Sequence, residues 1–334
     1  MIKQFLDSPQ SWQITLANAI HDPKELLALM ELDSYPQEIS KSIERGFSLR
    51  VPHSYVARMK KGDPNDPLFL QVFPLAIEDK TDPSFSLDPV GDLTATTVPG
   101  VLQKYIGRVL LITTGACAIH CRYCFRRHFP YTEHHAVKNY WREALQYIAQ
   151  DSSIKEVILS GGDPLVLSDN RLANLVQKLE DIPHVKRIRI HTRLPIVLPE
   201  RINESLLYWL ANTSLQRVIV IHTNHANEID QNVVSVLRKL SDIGCYLFNQ
   251  TVLLRRINDE VDTLVNLSER LFEVGVIPYY LHMLDKVQGA AHFEVDLIKA
   301  QSLYKKLRAQ LPGYLVPLLV QEQAGAPNKL PLFF

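Results

Sequence analysis

Among 334 residues there are only four cysteines, and three of them fall within eight positions. The fourth, Cys245, stands alone in an apolar stretch, where a thiol behaves as a small hydrophobe. A three-plus-one split is poor material for a disulfide framework and points to a reducing, cytoplasmic setting. Net charge is missing too: 36 Lys and Arg balance 36 Asp and Glu. That removes the electrostatic case for nucleic acid or a membrane surface. No apolar run approaches the ~20 residues needed to span a bilayer. Residues 1–8 lack the long apolar region and small-residue cleavage site of a signal peptide. Internal repeats and low-complexity tracts are absent as well. What is present is 46% hydrophobic, enough to bury a sizeable core in one large or two ordinary domains.

Residues 1–50 carry a helical pattern. Trp12, Leu16 and Ile20 keep helical spacing, and Asp22-Pro23 opens a second helix through Leu26, Leu27 and Met30. Residues 51–100 are dense in proline and turn signals, including Gly62-Asp63-Pro64-Asn65-Asp66-Pro67, and read as an irregular wrapping segment. From Arg108 onward, short apolar runs alternate with amphipathic ones. The predicted strands are Val109–Thr113, Glu156–Ser160, Arg187–His191, Arg217–His222, Tyr246–Leu253 and Pro278–Met283. Helices are expected near 138–150, 169–181, 199–211, 228–243, 261–274 and 294–310. Six β-then-α units imply a parallel sheet with right-handed crossovers, its strands covered on both faces. Such a series makes an open or partial barrel whose site lies at the strand C-terminal ends.

The clustered cysteines, Cys117, Cys121 and Cys124, have the spacing C-x3-C-x2-C in the loop after the first predicted strand. Three thiolates are one short of a closed tetrahedral zinc site. A [4Fe–4S] cluster held by three cysteines instead leaves one iron open to another molecule. The alternative is zinc completed by His120 or His128, although structural zinc prefers paired C-x2-C knuckles. After the second predicted strand comes Ser160-Gly161-Gly162-Asp163-Pro164. Taken alone it is a turn signal, and its glycines would let backbone approach a ligand closely.

In the loop after the first strand of a six-fold βα series, this cysteine spacing resembles the radical S-adenosylmethionine (radical SAM) superfamily. The resemblance implies an α/β fold, a partial (βα)6 barrel. It implies that the open iron binds S-adenosylmethionine, which the reduced cluster splits to a 5′-deoxyadenosyl radical. Gly161, Gly162 and Asp163 then correspond to the motif for the methionine amino group. His191, Arg193 and His222, at the third and fourth strand ends, correspond to further S-adenosylmethionine contacts.

More narrowly, the chain resembles the lysine 2,3-aminomutases from about residue 47 to Lys329. The likeness is carried by Val51-Pro52, the 62–67 run, Gln71-Val72, Pro99-Gly100, Arg122-Tyr123-Cys124-Phe125-Arg126-Arg127, His225-Ala226-Asn227-Glu228 and Val252-Leu253-Leu254-Arg255. It is nearest the branch that makes β-lysine for elongation factor P. The resemblance implies a second cofactor, pyridoxal 5′-phosphate (PLP), held on Lys329 as a Schiff base. Tyr105, Arg108 and Gln250 match PLP contacts, and Lys104 stands where the fermentative enzymes have arginine. Arg126 matches the arginine for the substrate carboxylate, while Asp285 and Glu322 match the two acids for the lysine ε-ammonium. Without the resemblance, Lys329 and both acids would read as solvated surface charges.

These correspondences imply a helical and irregular extension over 1–100, the barrel over 101–310, and a segment over 311–334 carrying the PLP lysine. They imply L-lysine as substrate, a flavodoxin- or ferredoxin-type reductant, and an elongation factor P ligase as user of the product. Monomer and dimer both remain open. Two rival functions stand beside this one: a PLP-dependent radical aminomutase for another amino acid, and a metal-stabilised binding protein without catalysis.

Overall fold

The computed structural model describes residues 11–33, 38–41, 47–132 and 141–332. The N-terminal eight residues and the start of the helix expected near 138 lie outside them. The described residues form one open sheet in sequence order. Its strands are β1 (Thr96–Val98), β2 (Val101–Tyr105), β3 (Arg108–Thr114), β4 (Glu156–Gly161), β5 (Arg187–Thr192), β6 (Gln216–His222), β7 (Tyr246–Val252), β8 (Ile277–His282), β9 (Leu318–Gln321) and β10 (Leu330–Pro331). From β3 to β9 every pairing is parallel. The apolar runs explain why: Val157, Leu159, Ile188, Ile190, Ile219 and Ile221 are buried, as a sheet covered on both faces requires. The six strands expected from sequence are β3 to β8, with bounds shifted by no more than one residue.

Four strands were not anticipated. β1 and β2 pair antiparallel and lead into β3, while β9 runs parallel to β8 and turns back through β10. This last hairpin carries Glu322 and Lys329 to the edge of the barrel mouth.

The helices are α1 (Ser11–Ala17), α2 (Pro23–Leu29), the single turns α3 (His53–Val56) and α4 (Pro67–Leu70), α5 (Arg142–Gln150), α6 (Asp169–Glu180), the short α7 (Leu194–Val197), α8 (Glu204–Asn212), α9 (Gln231–Asp242), α10 (Val261–Glu273) and α11 (Leu297–Gln310). Three of them start later than the periodicity suggests, because a side-chain cap fixes each N-terminus. Asn203 accepts from Leu206 N at 2.9 Å, Asp230 from Val233 N at 2.9 Å, and Asp296 from Lys299 N at 2.8 Å. Among the described residues of 1–50, α1 and α2 meet the helical reading. After α2, Ile39 forms an isolated bridge to Leu75, and Val51 forms one to Ile20. This extension shares the barrel's core: Trp12, Leu26, Tyr55 and Phe69 are buried in the same cluster as Leu172 and Leu206. The Arg201 guanidinium lies 4.6 Å over Trp12 and pairs with Asp169 at 2.8 Å, riveting α1 to the outer helices.

Candidate active site

A cavity of about 470 Å³ opens at the C-terminal ends of the parallel strands. All three clustered cysteines line it, with Arg126 and Arg193, and with Asp285, Glu322 and Lys329 on its other flank. The cysteine loop is built on β4. Gly162 N donates to Thr114 O at 2.7 Å, and Asp163 N donates to Ala116 O at 2.8 Å. A Cβ on Gly162 would lie 2.2 Å from Ala116 O, and one on Gly161, whose φ is +119°, 2.5 Å from Thr114 O. The glycines therefore let two loop backbones touch, and both also line the cavity. Asp163 is buried and spends its carboxylate on Leu165 N, Thr192 Oγ1 and Arg193 N, at 3.0, 2.7 and 2.7 Å. It ties the β4 loop to the end of β5.

Burial and the neighbouring cysteines push the Cys124 thiol up to about 11 and the Cys117 thiol well above its ordinary value. Sulfurs held this way ionise when a multiply charged cation arrives to offset their repulsion. His120 gives a ring nitrogen to Ser48 O at 2.7 Å, and His128 gives one to Gln288 O at 3.1 Å. Among the described residues, no group of three His, Cys, Asp or Glu side chains is gathered tightly enough to hold a single metal ion.

Beside the cysteines, Arg193 is 5% exposed and hydrogen-bonded at both terminal nitrogens. Nη1 donates to Cys121 Sγ at 2.7 Å, and Nη2 donates to Gln71 Oε1 at 2.7 Å, Glu228 Oε2 at 2.9 Å and Tyr55 OH at 3.2 Å. Gln71 and Glu228 lie in runs that carry the family resemblance, whereas nothing in the sequence marks Tyr55.

A chain of alternating charges borders the other flank. Arg126 Nε donates to Asp92 Oδ2 at 2.6 Å, and Lys104 Nζ lies 2.6 Å from Asp92 Oδ1 and 2.9 Å from Glu322 Oε1. Glu322 Oε2 pairs in turn with Lys329 Nζ. Lys104 also donates to Val90 O at 2.8 Å, so its three protons are spent inside the protein. Asp92 was invisible in the sequence, an acid within the Pro- and Gly-rich segment. Burial opposes ionisation of Asp92, yet Arg126 and Lys104 hold its carboxyl below the usual range. Burial likewise opposes ionisation of Glu322, but Lys329 and Lys104 pull it down to about 2. Asp285 goes the other way. Burial, then the adjacent Glu322 charge, push it up to about 7 against the pull of Lys329 and Lys104.

Six buried polar atoms of residues lining this cavity have neither a hydrogen bond nor an ion pair among the described residues: Nε2 of His191, His222, Gln250 and His282, and Nε of Arg189 and Arg193. His282 was not singled out in the sequence. Burial, with help from nearby cations, lowers all three imidazoles, His222 to about 4, so they are neutral. At the β2–β3 turn, the Arg108 guanidinium lies 4.7 Å over the Tyr105 ring.

Residues 111–267 match the family model described as the Radical SAM superfamily. Over 320 residues the chain is 50% identical to the L-lysine 2,3-aminomutase of Haemophilus influenzae, covering 96% of this chain and 95% of that protein. It is 48% identical over 326 residues to the L-lysine 2,3-aminomutase of Escherichia coli, covering 97% and 95%. The identity to the L-lysine 2,3-aminomutase of Clostridium subterminale is 33% over 322 residues, covering 96% of this chain and 77% of that one. The chain belongs to the L-lysine 2,3-aminomutase family.

Membership in this radical SAM aminomutase family brings a [4Fe–4S] cluster and S-adenosylmethionine with it, and the cavity suits both. Three thiols on one short loop supply the donor set for three irons. A sulfonium ligand is a cation, and the neutral imidazoles of this aminomutase offer it hydrogen-bonding nitrogens without repulsion.

Proposed function

We propose that this protein moves the α-amino group of L-lysine to the β carbon, with Cys117, Cys121 and Cys124 holding the cluster and Lys329 holding PLP. The observation that supports it best is the charge arrangement on the cavity wall. Arg126 keeps Nη2 without a partner among the described residues beside the cysteine loop, while Asp285 stands unpaired near Lys329. A substrate with a carboxylate at one end and an ammonium at the other meets both needs.

When bound, these groups supply a 5′-deoxyadenosyl radical and a conjugated ring that spreads an unpaired electron. Arg126, oriented by Asp92 and by Ser160 Oγ at 3.2 Å, would clamp the α-carboxylate. Asp285, ionised on meeting the ε-ammonium, would fix the far end of the chain, with Glu322 beside it. Glu322 also holds the Lys329 amine in place. Tyr105, Arg108 and the free amide of Gln250 would hold the PLP phosphate and ring. Gly161, Gly162 and Asp163 shape the loop against which S-adenosylmethionine would lie, with Arg193 and His222 at its margin. The buried cavity would exclude water and fix the reacting carbon and nitrogen at short range. From the sequence resemblance we carry forward a flavodoxin- or ferredoxin-type reductant and an elongation factor P ligase as the user of β-lysine.

The test is anaerobic incubation of the reconstituted protein with lysine, S-adenosylmethionine and a reductant, followed by chromatography. β-Lysine should accumulate, and Lys329→Ala should abolish both product and the visible absorbance of bound PLP. Retained lysine turnover in the double variant Asp285→Asn, Glu322→Gln would show that lysine is not the substrate these residues select.

A further inference from the structure

The loop contains three cysteines, but among the described residues only one of them is hydrogen-bonded to a cation. Cys121 Sγ accepts from Arg193 Nη1 at 2.7 Å, whereas Cys124 takes a backbone N–H from Arg126. The Arg193 guanidinium is not free to swing toward a ligand. Nη2 has three acceptors, the ring faces of Tyr55 and Tyr123 lie 5.5 and 5.8 Å away, and the backbone N is pinned on Asp163. Glu228, 0% exposed, stands behind it as the counter-charge. Its own carboxylate is fixed by Asn224 N at 2.9 Å, His225 N at 3.1 Å and Gln71 Nε2 at 3.2 Å. This is a rigid, buried assembly aimed at one sulfur.

We infer that Arg193 sets the reduction potential of the cluster through its hydrogen bond to Cys121, and that Glu228 limits the effect from behind. The inference rests on the reading that the three cysteines hold a [4Fe–4S] cluster. Reduction adds one electron from the reductant and one negative charge to the cluster, with no bond made or broken. A fixed cation at a ligand sulfur stabilises the more negative state, and hydrogen bonds to sulfur are among the features that tune such potentials. In the protein interior these charges are screened less than they would be in water. Arg193 is thus a positioning and tuning residue, and Gln71 and Tyr55 hold it on target.

The experiment is an anaerobic redox titration of the reconstituted full chain, followed by electron paramagnetic resonance of the reduced cluster. Arg193→Gln should lower the midpoint potential, because the cation and its hydrogen bond are lost while the Glu228 charge stays. Glu228→Gln should raise it, because the restraining charge is lost while Arg193 stays. Arg193→Lys should fall between the native protein and Arg193→Gln. Opposite shifts for the first two variants establish the assignment. Unchanged potentials, or shifts of the same sign, overturn it. If Arg193→Gln takes up no cluster, the ordering of Glu228→Gln, native protein and Arg193→Lys decides alone. A native protein that binds no iron and sulfide under the same conditions refutes the cluster reading instead, so the two failures are distinguishable.

Discussion

Asp285 offers a sharp test of how the cavity meets an ammonium. In the absence of ligand its carboxyl sits at about 7, raised chiefly by burial and then by Glu322. At 1.36 kcal/mol per pH unit, ionising it costs on the order of 4 kcal/mol relative to an unperturbed aspartate. A cationic ligand reverses that cost, so binding must drive off whatever proton the carboxyl carries. The probe is 6-aminohexanoate, which is lysine without its α-amine and has no group titrating between pH 6 and 8. By mass action, Asp285 is about nine-tenths protonated at pH 6, half at pH 7 and one-tenth at pH 8. Proton release on binding should follow those fractions. The apparent Kd should rise about tenfold per pH unit below about 7 and level off above 8. Glu322, held down to about 2 by its lysines despite burial, stays ionised across the range and adds no slope. Calorimetry of the PLP-free protein in buffers of different ionisation enthalpy measures the released protons directly. Asp285→Asn should remove both the release and the slope. Proton uptake, or release that is flat with pH in the native protein, would refute the assignment of Asp285 as the ammonium site.

The same carboxyl bears on stability with a definite sign. Its folded-state value lies above the unfolded one, so the cost is absent below about pH 4 and complete above about 7. Asp285→Asn should therefore stabilise the ligand-free protein at pH 8, by up to roughly 4 kcal/mol, and leave it unchanged at pH 4, as read by urea unfolding. Gly162→Ala places a Cβ 2.2 Å from Ala116 O and must push the cysteine loop off β4. Iron and sulfide content after reconstitution should drop, with a loss of about 1–3 kcal/mol in stability; a fully loaded, stable variant would contradict the packing argument. Glu78 is buried against Arg122 and Arg127, at 2.6 and 2.9 Å. Glu78→Gln leaves two buried guanidiniums uncompensated and should cost about 3–5 kcal/mol in denaturant unfolding. A change below about 1 kcal/mol would mean that water reaches the pair.

The barrel was legible because its strands are short, largely apolar runs and its helices are periodic, and those signals are local. The helix starts were less so, since Asn203, Asp230 and Asp296 are caps that only geometry distinguishes from other polar residues. β2 escaped because Gln103 and Lys104 interrupt its apolar character, and β9 because it has only four residues. Edge pairing depends on neighbours rather than on sequence pattern. The cysteines announced themselves by spacing. Lys329, Asp285 and Glu322 entered only through resemblance, because nothing local marks a charged residue that the fold will enclose. Asp92 and Tyr55 could not be found either way. They lie 34 and 138 positions from Arg126 and Arg193, and their roles exist only once the wrapping segment closes on the barrel.

That wrapping segment also explains the selectivity of the site. Arg126, Asp92, Lys104, Glu322 and Lys329 form a run of alternating charges in which each interior member has a partner on both sides. Buried charges so paired offer little to a ligand, because breaking a pair leaves an uncompensated charge at a cost of several kcal/mol. On the proposed function, recognition would therefore come from the groups the run leaves over, the outer edge of Arg126 and, outside the run, Asp285. A glutamate-like substrate would set a second carboxylate against Asp285 and Glu322, and an uncharged side chain would leave Asp285 protonated and unpaired. Only a ligand with an anion at its head and a cation at its tail completes the pattern. Lys104 balances the run: without its charge, Asp92 Oδ1 and Glu322 Oε1 would be left in the wall without a cation.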